Sequence, residues 1–351
     1  MKKILLLSNM YPSSKHPDFG VFVASAEKDL LELGFQIDKC VRLSKGNGKI
    51  PKLFSYLYFY VVSFYFLTFK RYDYIYCHYI SHTALPILTA LLFRKQLNIA
   101  CHIHGGDVKF LAGRNAFFHK IKHVLINKLL KRSSKIICPS KSYVEYVNQI
   151  FPFTDKNNFY VYPSGGVNSV FFKNKISTKN YNILRLGYAG RLVKSKNVDL
   201  IIDAVKGLHS VSLNIVGSGE LKKDLVNASE GLPVNFLEPM NREQLSVWFN
   251  EIDILIYPSE SESLGLVPLE AMASGVYPIL SDIPAFNEFS GIGLKFEVMK
   301  EFNSSAIQEC INSYMSKGFE DIKGVCNNNQ FIVKQMYGSE NIKEVLKNVF
   351  N

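Results

Sequence analysis

The sequence predicts an α/β chain of two doubly wound, Rossmann-like domains facing each other across a cleft. Three observations carry this expectation. At 351 residues, 47% of them apolar, the chain is too long for one ordinary core. Short apolar runs alternate with longer helical patterns from end to end, as in parallel sheets covered by helices on both faces. The polar stretch Lys173–Asn182 has no apolar period and reads as a hinge. The expected division is an N-terminal domain over 1–172 and a C-terminal domain over 173–337. A last helix near 338–351 is expected to pack back on the first domain.

The elements follow in order. "MKKILLLS" resembles the start of a signal peptide, but its apolar core Ile4–Leu7 is too short, so a first strand is the better reading. Further strands are expected near 35–41, 73–77, 97–103, 135–138 and 159–162, with helices near 21–34, 52–69, 82–93, 115–132 and 140–150. Ser140 after "IICP" suits a helix N-cap. The second half repeats the scheme. Its strands are expected near 183–189, 212–216, 234–237, 252–257, 277–280 and 293–296. Its helices are expected near 197–208, 219–228, 241–250, 266–274, 283–289 and 303–317, with more beyond.

One stretch stands apart. Leu53–Phe69 carries no charge, and nine of its seventeen residues are aromatic. It sits at the short limit for a membrane span. The first expectation is a buried or half-buried helix between two strands; an interfacial helix and a true span are the alternatives.

Charge separates the halves. Residues 1–180 hold 26 Lys and Arg against 9 Asp and Glu, whereas residues 181–351 hold 15 against 21. A basic front half points to an anionic partner: a phospholipid surface, a lipid-linked diphosphate or nucleic acid. Nucleic acid is disfavoured, because no recognition motif accompanies the charge. The six cysteines are scattered without a C-x-x-C. Cys77, Cys101 and Cys138 sit in strand-like runs and read as small buried hydrophobes of a reducing compartment.

Open α/β sheets bind ligands at the carboxyl ends of their strands. After "ILRLGY", Arg191 and Lys196 flank the start of a helix; a fork donor and a point charge there suit a diphosphate. Surface charge alone also produces such a pair. After "VSLNIV" comes "GSGEL", a G-x-G that lacks the full dinucleotide fingerprint and reads first as a turn. After "DILIYPS" comes "ESESLGLVPLEAMASG", with Glu262 and Glu270 separated by seven residues. Gly265, Leu266 and Val267 would offer free N–H groups at a helix start. A carboxylate cannot face the same phosphate, so Glu270 needs hydrogen-bond donors; a vicinal diol supplies them. Amides and cations for phosphate beside carboxylates for hydroxyls describe a nucleotide sugar.

"PSESESLGLVPLEAMASGVYPILSD" closely resembles the E-x7-E signature of glycosyltransferase family 4, the retaining GT-B enzymes. "GRLVKSKNVDLI" is similar to that family's G-R-L…K-G segment, with Asn197 where glycine is usual. "VGSGEL", "HIHGGDV" and "YPSGGVN" resemble its glycine turn, its H-G-x-D segment and its interdomain loop. The matches keep family order over roughly residues 1–345.

The resemblance implies a GT-B fold and roles for particular residues. Arg191 and Lys196, with the amides of Gly265, Leu266 and Val267, hold the donor diphosphate. Glu270 binds the ribose, and Glu262 sits at the donor hexose. His104 and Asp107 reach the donor sugar or reaction centre, so His104, Asp107 and Glu262 form the catalytic set. Gly20 and Phe22 belong to a loop lining the cleft floor. Glu260 has no assured counterpart and reads as solvated or cap-like. His78, at a strand end, could line the acceptor side. His102 is expected to point elsewhere than His104.

The resemblance also implies retention at the anomeric carbon. No D-x-D occurs in the chain, so a metal-free reaction without cofactor is expected, the cations taking the metal's part. A hydrolase with two working carboxylates leaves the basic pair and glycine turns unexplained. A nicotinamide dehydrogenase lacks its fingerprint. A nucleotide-sugar epimerase and a non-catalytic carbohydrate- or lipid-binding protein on the same scaffold stay as alternatives.

Segment 115–135 puts apolar residues at helical spacing beside Lys120, Lys122, Lys128, Lys131 and Arg132. A helix packed on the sheet with a solvated basic face accounts for it; so does a peripheral membrane contact. The expectation is a cytoplasmic enzyme on the inner face of the cell membrane. Its acceptor would be polyprenyl-diphosphate-linked, as in surface polysaccharide assembly.

Overall fold

The structure is a computed structural model that describes residues 1–16, 19–43, 48–108, 116–152, 158–173 and 183–351. The expected hinge Lys173–Asn182 lies outside these residues beyond Lys173. The chain forms two compact units: Met1–Gly165 with Ile342–Asn351, and Gly166–Asn341.

The first unit is a six-stranded parallel sheet. Its strands are β1 (Lys3–Ser8), β2 (Gln36–Val41), β3 (Tyr74–His78), β4 (Ile99–His102), β5 (Lys135–Cys138) and β6 (Phe159–Val161). They lie in the order β2-β1-β3-β4-β5-β6. The helices are α1 (Val21–Glu32), α2 (Lys49–Phe69), α3 (Ile80–Phe93), the single turn α4 (Gly105–Val108), α5 (Ala116–Leu130) and α6 (Lys141–Ile150). Period two along β1 sorts its side chains between two cores. Leu5 and Leu7 join buried residues of α2, α3, α5 and α6. Ile4 and Leu6 join α1 and the C-terminal helix through Leu346, Val349 and Phe350. Ser140 caps α6 by accepting from the Tyr143 amide at 3.1 Å.

The second unit repeats the scheme with β7 (Leu184–Ala189), β8 (Val211–Val216), β9 (Val234–Leu237), β10 (Ile254–Tyr257), β11 (Tyr277–Ser281) and β12 (Glu297–Met299). Their order is β12-β11-β10-β7-β8-β9, again parallel. The helices are α7 (Val198–Val205), α8 (Lys222–Ala228), α9 (Arg242–Phe249), α10 (Leu266–Ala273), α11 (Pro284–Gly291), α12 (Ser304–Ser316) and α13 (Phe319–Tyr337). α14 (Ser339–Phe350) closes the chain. One apolar core, including Trp248, Phe249, Phe286 and Phe289, fills this unit.

One strand differs from expectation. Residues 293–296 leave α11 instead of starting a strand: Gly293 is left-handed at φ +94°. Asn329 then clamps Lys295 on both backbone groups, at 2.8 and 2.6 Å. The backbone bonds that pairing needs are taken by a side chain, so the strand begins only at Glu297.

Both sheets reverse direction beside their first strand. In the first unit β1 lies between β2 and β3; in the second β7 lies between β8 and β10. The crevices outside the carboxyl ends at these reversals are where such sheets take ligands.

Candidate active site

In the second unit the polypeptide leaves β7 and β10 side by side. The loop after β7 is pinned to the loop after β8: the Gly190 amide donates to Val216 O at 3.0 Å, and the Leu192 amide to Ser218 O at 2.9 Å. This closeness requires glycine. A Cβ on Gly217 would sit 1.9 Å from Gly190 O, and one on Gly219 2.2 Å from Leu192 O. The G-x-G thus serves loop packing, its plain turn reading.

That packing presents Arg191 and Lys196. Arg191 is exposed, its backbone carbonyl held by the Tyr188 hydroxyl at 3.0 Å. Lys196 is buried at 7% exposure and ion-paired with Glu262. Its ammonium also lies 5.4 Å from the Tyr257 ring centroid. Asn197 is left-handed at φ +50°, which asparagine tolerates better than most residues. Its side-chain amide donates to Pro258 O at 3.1 Å, tying this loop to the one after β10. Asparagine here thus takes a left-handed backbone that glycine also adopts readily, and adds a bond.

The loop after β10 carries Glu262 and enters α10 through Gly265, left-handed at φ +97°. Its N-cap residue is a glycine, with no side chain to cap the helix, and Pro268 has no N–H. The amides of Gly265, Leu266 and Val267 are the positive end of its dipole. Glu270 lies one turn further on, 6% exposed. Among the described residues no group donates to its carboxylate. Burial raises its pKa to about 7, opposed only by the charge of Arg242. The Tyr188 and Tyr257 rings stack at 5.6 Å beneath these groups. Burial keeps both phenols neutral, helped by the charge of Glu262 on each and of Glu270 on Tyr257. The structure thus gathers Arg191, Lys196, Glu262, Glu270 and the start of α10 at one sheet reversal. Sequence reasoning missed the tyrosines; their signal was an aromatic at or next to the end of each of the two strands that deliver the charged loops.

The first unit gathers a second set around His104, just past β4. His104 is 8% exposed, and burial lowers its pKa to about 3, so it is neutral at working pH. Its Nε2 lies 3.0 Å from His78 Nδ1, and the Phe22 ring lies 4.3 Å from its own. Gly20 starts the helix that carries Phe22, left-handed at φ +81°. Asp107 is fully buried and accepts from the His104 amide at 2.8 Å. Burial raises its pKa to about 7, against lowering by that bond, the Lys122 charge, the Ile80 amide and Ser81. It braces the loop that presents His104.

The expectation for His102 fails. Its ring lies 4.3 Å from that of His104, and its Nδ1 meets the Tyr76 hydroxyl at 2.8 Å. The chain stays extended past β4, the Ile103 amide bonding Ile137 O, so residues 102 and 104 keep to one side. His78, His102 and His104 bring ligand atoms within 4.8 Å of one another, the one such metal-capable group found among the described residues.

Comparison with known proteins decides the family. Residues 170–331 match the model "Glycosyl transferases group 1", and residues 18–165 match "Glycosyltransferase Family 4". The chain belongs to the group 1 glycosyltransferases. It is 26% identical over 245 residues to the O-antigen biosynthesis glycosyltransferase WclY of Escherichia coli, covering 65% of this chain and 67% of that one. Sucrose-phosphate synthase from Thermosynechococcus elongatus superposes with TM-score 0.81 at 16% identity, covering 100% of this chain and 98% of that one. Anabaena HepE, solved with UDP and glucose, superposes with TM-score 0.72 at 16% identity, covering 99% of each. These likenesses establish the GT-B fold of this glycosyltransferase.

Proposed function

We propose that this glycosyltransferase moves a hexose from a nucleotide-diphosphate sugar to a lipid-linked saccharide, with retention, in surface polysaccharide assembly. The observation that carries the donor half is Glu270. It is a buried carboxylate to which no group among the described residues donates, one turn past amides that suit phosphate. A nucleotide sugar meets both needs, its ribose diol donating to Glu270 and its diphosphate accepting from Gly265, Leu266 and Val267. The HepE structure with UDP and glucose supports the same donor class. The acceptor half rests on the kinship with an O-antigen enzyme and on the basic first half.

Transfer breaks the bond between the anomeric carbon and the diphosphate, forms one from that carbon to an acceptor hydroxyl oxygen, and passes the hydroxyl proton to the departing diphosphate. Negative charge grows on the leaving oxygen, where Arg191, Lys196 and the α10 dipole stabilise it. We assign that task to these groups without a metal. Glu262 has two parts: it holds Lys196 now, and it accepts from donor hexose hydroxyls. His104 acts at the sugar as a neutral hydrogen-bonding group, since a cation there would oppose the positive charge growing on the anomeric carbon. Asp107 positions it. The enzyme works on the cytoplasmic side of the cell membrane.

The test supplies a panel of nucleotide sugars with a lipid extract and follows the sugar by mass. Transfer to lipid, insensitive to a chelator, is expected. Sugar isomerised without transfer would make the protein an epimerase, and binding without turnover would make it non-catalytic. Loss of activity on chelation would overturn the metal-free assignment.

A further inference from the structure

α2 is 21 residues long, yet only one stripe of it meets the sheet. Phe59, Ser63 and Leu67 are buried there, four residues apart. The opposite stripe is as apolar as the buried one. Leu53, Phe54, Leu57, Tyr58, Val61 and Tyr65 are each 51–73% exposed. A helix that is apolar all round belongs in a core or a membrane, and a continuous apolar patch this long marks an interaction surface.

The patch extends beyond one helix. α3 packs against both α2 and α5, and Phe93 of α3 meets Phe64 of α2 with ring centroids 5.5 Å apart. Leu92 and Phe93 are 79% and 72% exposed, and on α5 Phe117 and Phe118 are 66% and 69% exposed. These helices cover the same sheet face, since their inward residues share one core. Charge identifies the occupant. Residues 49–132 hold 13 Lys and Arg with only Asp73 and Asp107 against them, and α2, α3 and α5 contain no acidic residue. Exposed Lys52, Lys70, Arg71 and Lys95 stand at the ends of α2 and α3, and exposed Lys120 and Lys128 lie along α5. Apolar and aromatic side chains bordered by an excess of cations complement a bilayer with anionic headgroups. Two copies meeting through this face would set basic helices against basic helices, since α2, α3 and α5 carry no acidic residue. A span is disfavoured because α2 is fastened to its sheet: Ser63 Oγ lies 3.4 Å from Cys40 Sγ, and the Tyr56 ring lies 4.3 Å from the Arg42 guanidinium.

We propose that the outward faces of α2, α3 and α5 form one docking surface for an anionic lipid bilayer, with α2 lying in the interfacial plane. This deepens the reading of a lipid-linked acceptor by naming the surface that would bring the enzyme to it.

The experiment is flotation of the full chain with phosphatidylcholine vesicles, with and without phosphatidylglycerol. The wild type should float with the anionic vesicles only, and raised salt should release it. Leu57→Glu with Tyr58→Glu should lower partition at least about tenfold. Lys120→Glu and Lys128→Glu should each lower it about fivefold. Nucleotide-sugar binding by each variant shows that it is folded. Equal flotation with neutral vesicles, retention of α2 through alkaline extraction, or a dimer that stays with the aqueous phase would each overturn the proposal. Flotation needs no turnover, so a protein that floats but transfers nothing sinks the proposed function alone; one that transfers but does not float sinks this inference alone.

Discussion

Glu270 should make donor binding depend on pH in a direction and amount set by its surroundings. Burial raises its pKa to about 7. In the free protein about a tenth of it is ionised at pH 6 and about nine tenths at pH 8. Two ribose hydroxyls donating to the carboxylate favour the charged form and restore its ordinary range. Binding then releases a proton wherever Glu270 was protonated. Affinity for a nucleotide sugar should rise about tenfold from pH 6 to pH 8, about 1.4 kcal/mol, with release of about half a proton at pH 7. A nucleotide sugar is the right probe because its esterified diphosphate does not titrate in this window. Stability runs the other way. The folded pKa lies above the unfolded one, so the folded state holds the extra proton and stability falls as pH rises from about 4.5 through about 7. Asp107 shifts in the same sense over the same window, so Glu270→Gln is the control that isolates one carboxyl. The variant should bind weakly with a flat profile, and it should melt higher than wild type at pH 8. Titration calorimetry in two buffers of different ionisation heat measures affinity and proton release together. A tenfold slope that persists in Glu270→Gln, or wild-type affinity without slope, would show that Glu270 does not receive the ribose as a carboxylate.

Three further outcomes follow. Lys196→Met leaves Glu262 without its partner at a nearly buried site, so thermal melts should show a loss of about 3 kcal/mol, restored in part by adding Glu262→Gln. Gly217→Ala drives a methyl into Gly190 O and should lower stability by about 1–3 kcal/mol, with donor affinity falling in parallel as the Arg191 loop shifts. His104→Ala should lower kcat about a hundredfold and leave nucleoside diphosphate affinity unchanged in calorimetry.

Much of the fold was legible because the chain is locally consistent. Buried parallel strands are continuous apolar runs, and α6 begins where Ser140 caps it. The E-x7-E stretch was legible as chemistry because a carboxylate beside phosphate-binding amides needs a separate partner. What was hidden depended on contacts between distant residues. Nothing near residue 293 reveals that Asn329 will take the Lys295 backbone. The pairing of Lys196 with Glu262 depends on two loops meeting after strands whose paired residues, such as Leu186 and Ile254, are far apart in the chain. The His102–His104 contact depended on how far past β4 the chain stays extended. The outward stripe of α2 was obscured for the opposite reason: a helix apolar on every side gives no periodicity from which to choose its buried face.

The most direct test of the central claim is calorimetric titration of nucleoside diphosphates and nucleotide sugars into wild type, Arg191→Ala and Glu270→Ala. One nucleotide series should bind the wild type, and each variant should weaken it about 10–100-fold. Arg191→Ala should lose diphosphate affinity, and Glu270→Ala should lose the advantage of ribose over 2′-deoxyribose. Unchanged affinity across the panel in both variants would contradict that claim.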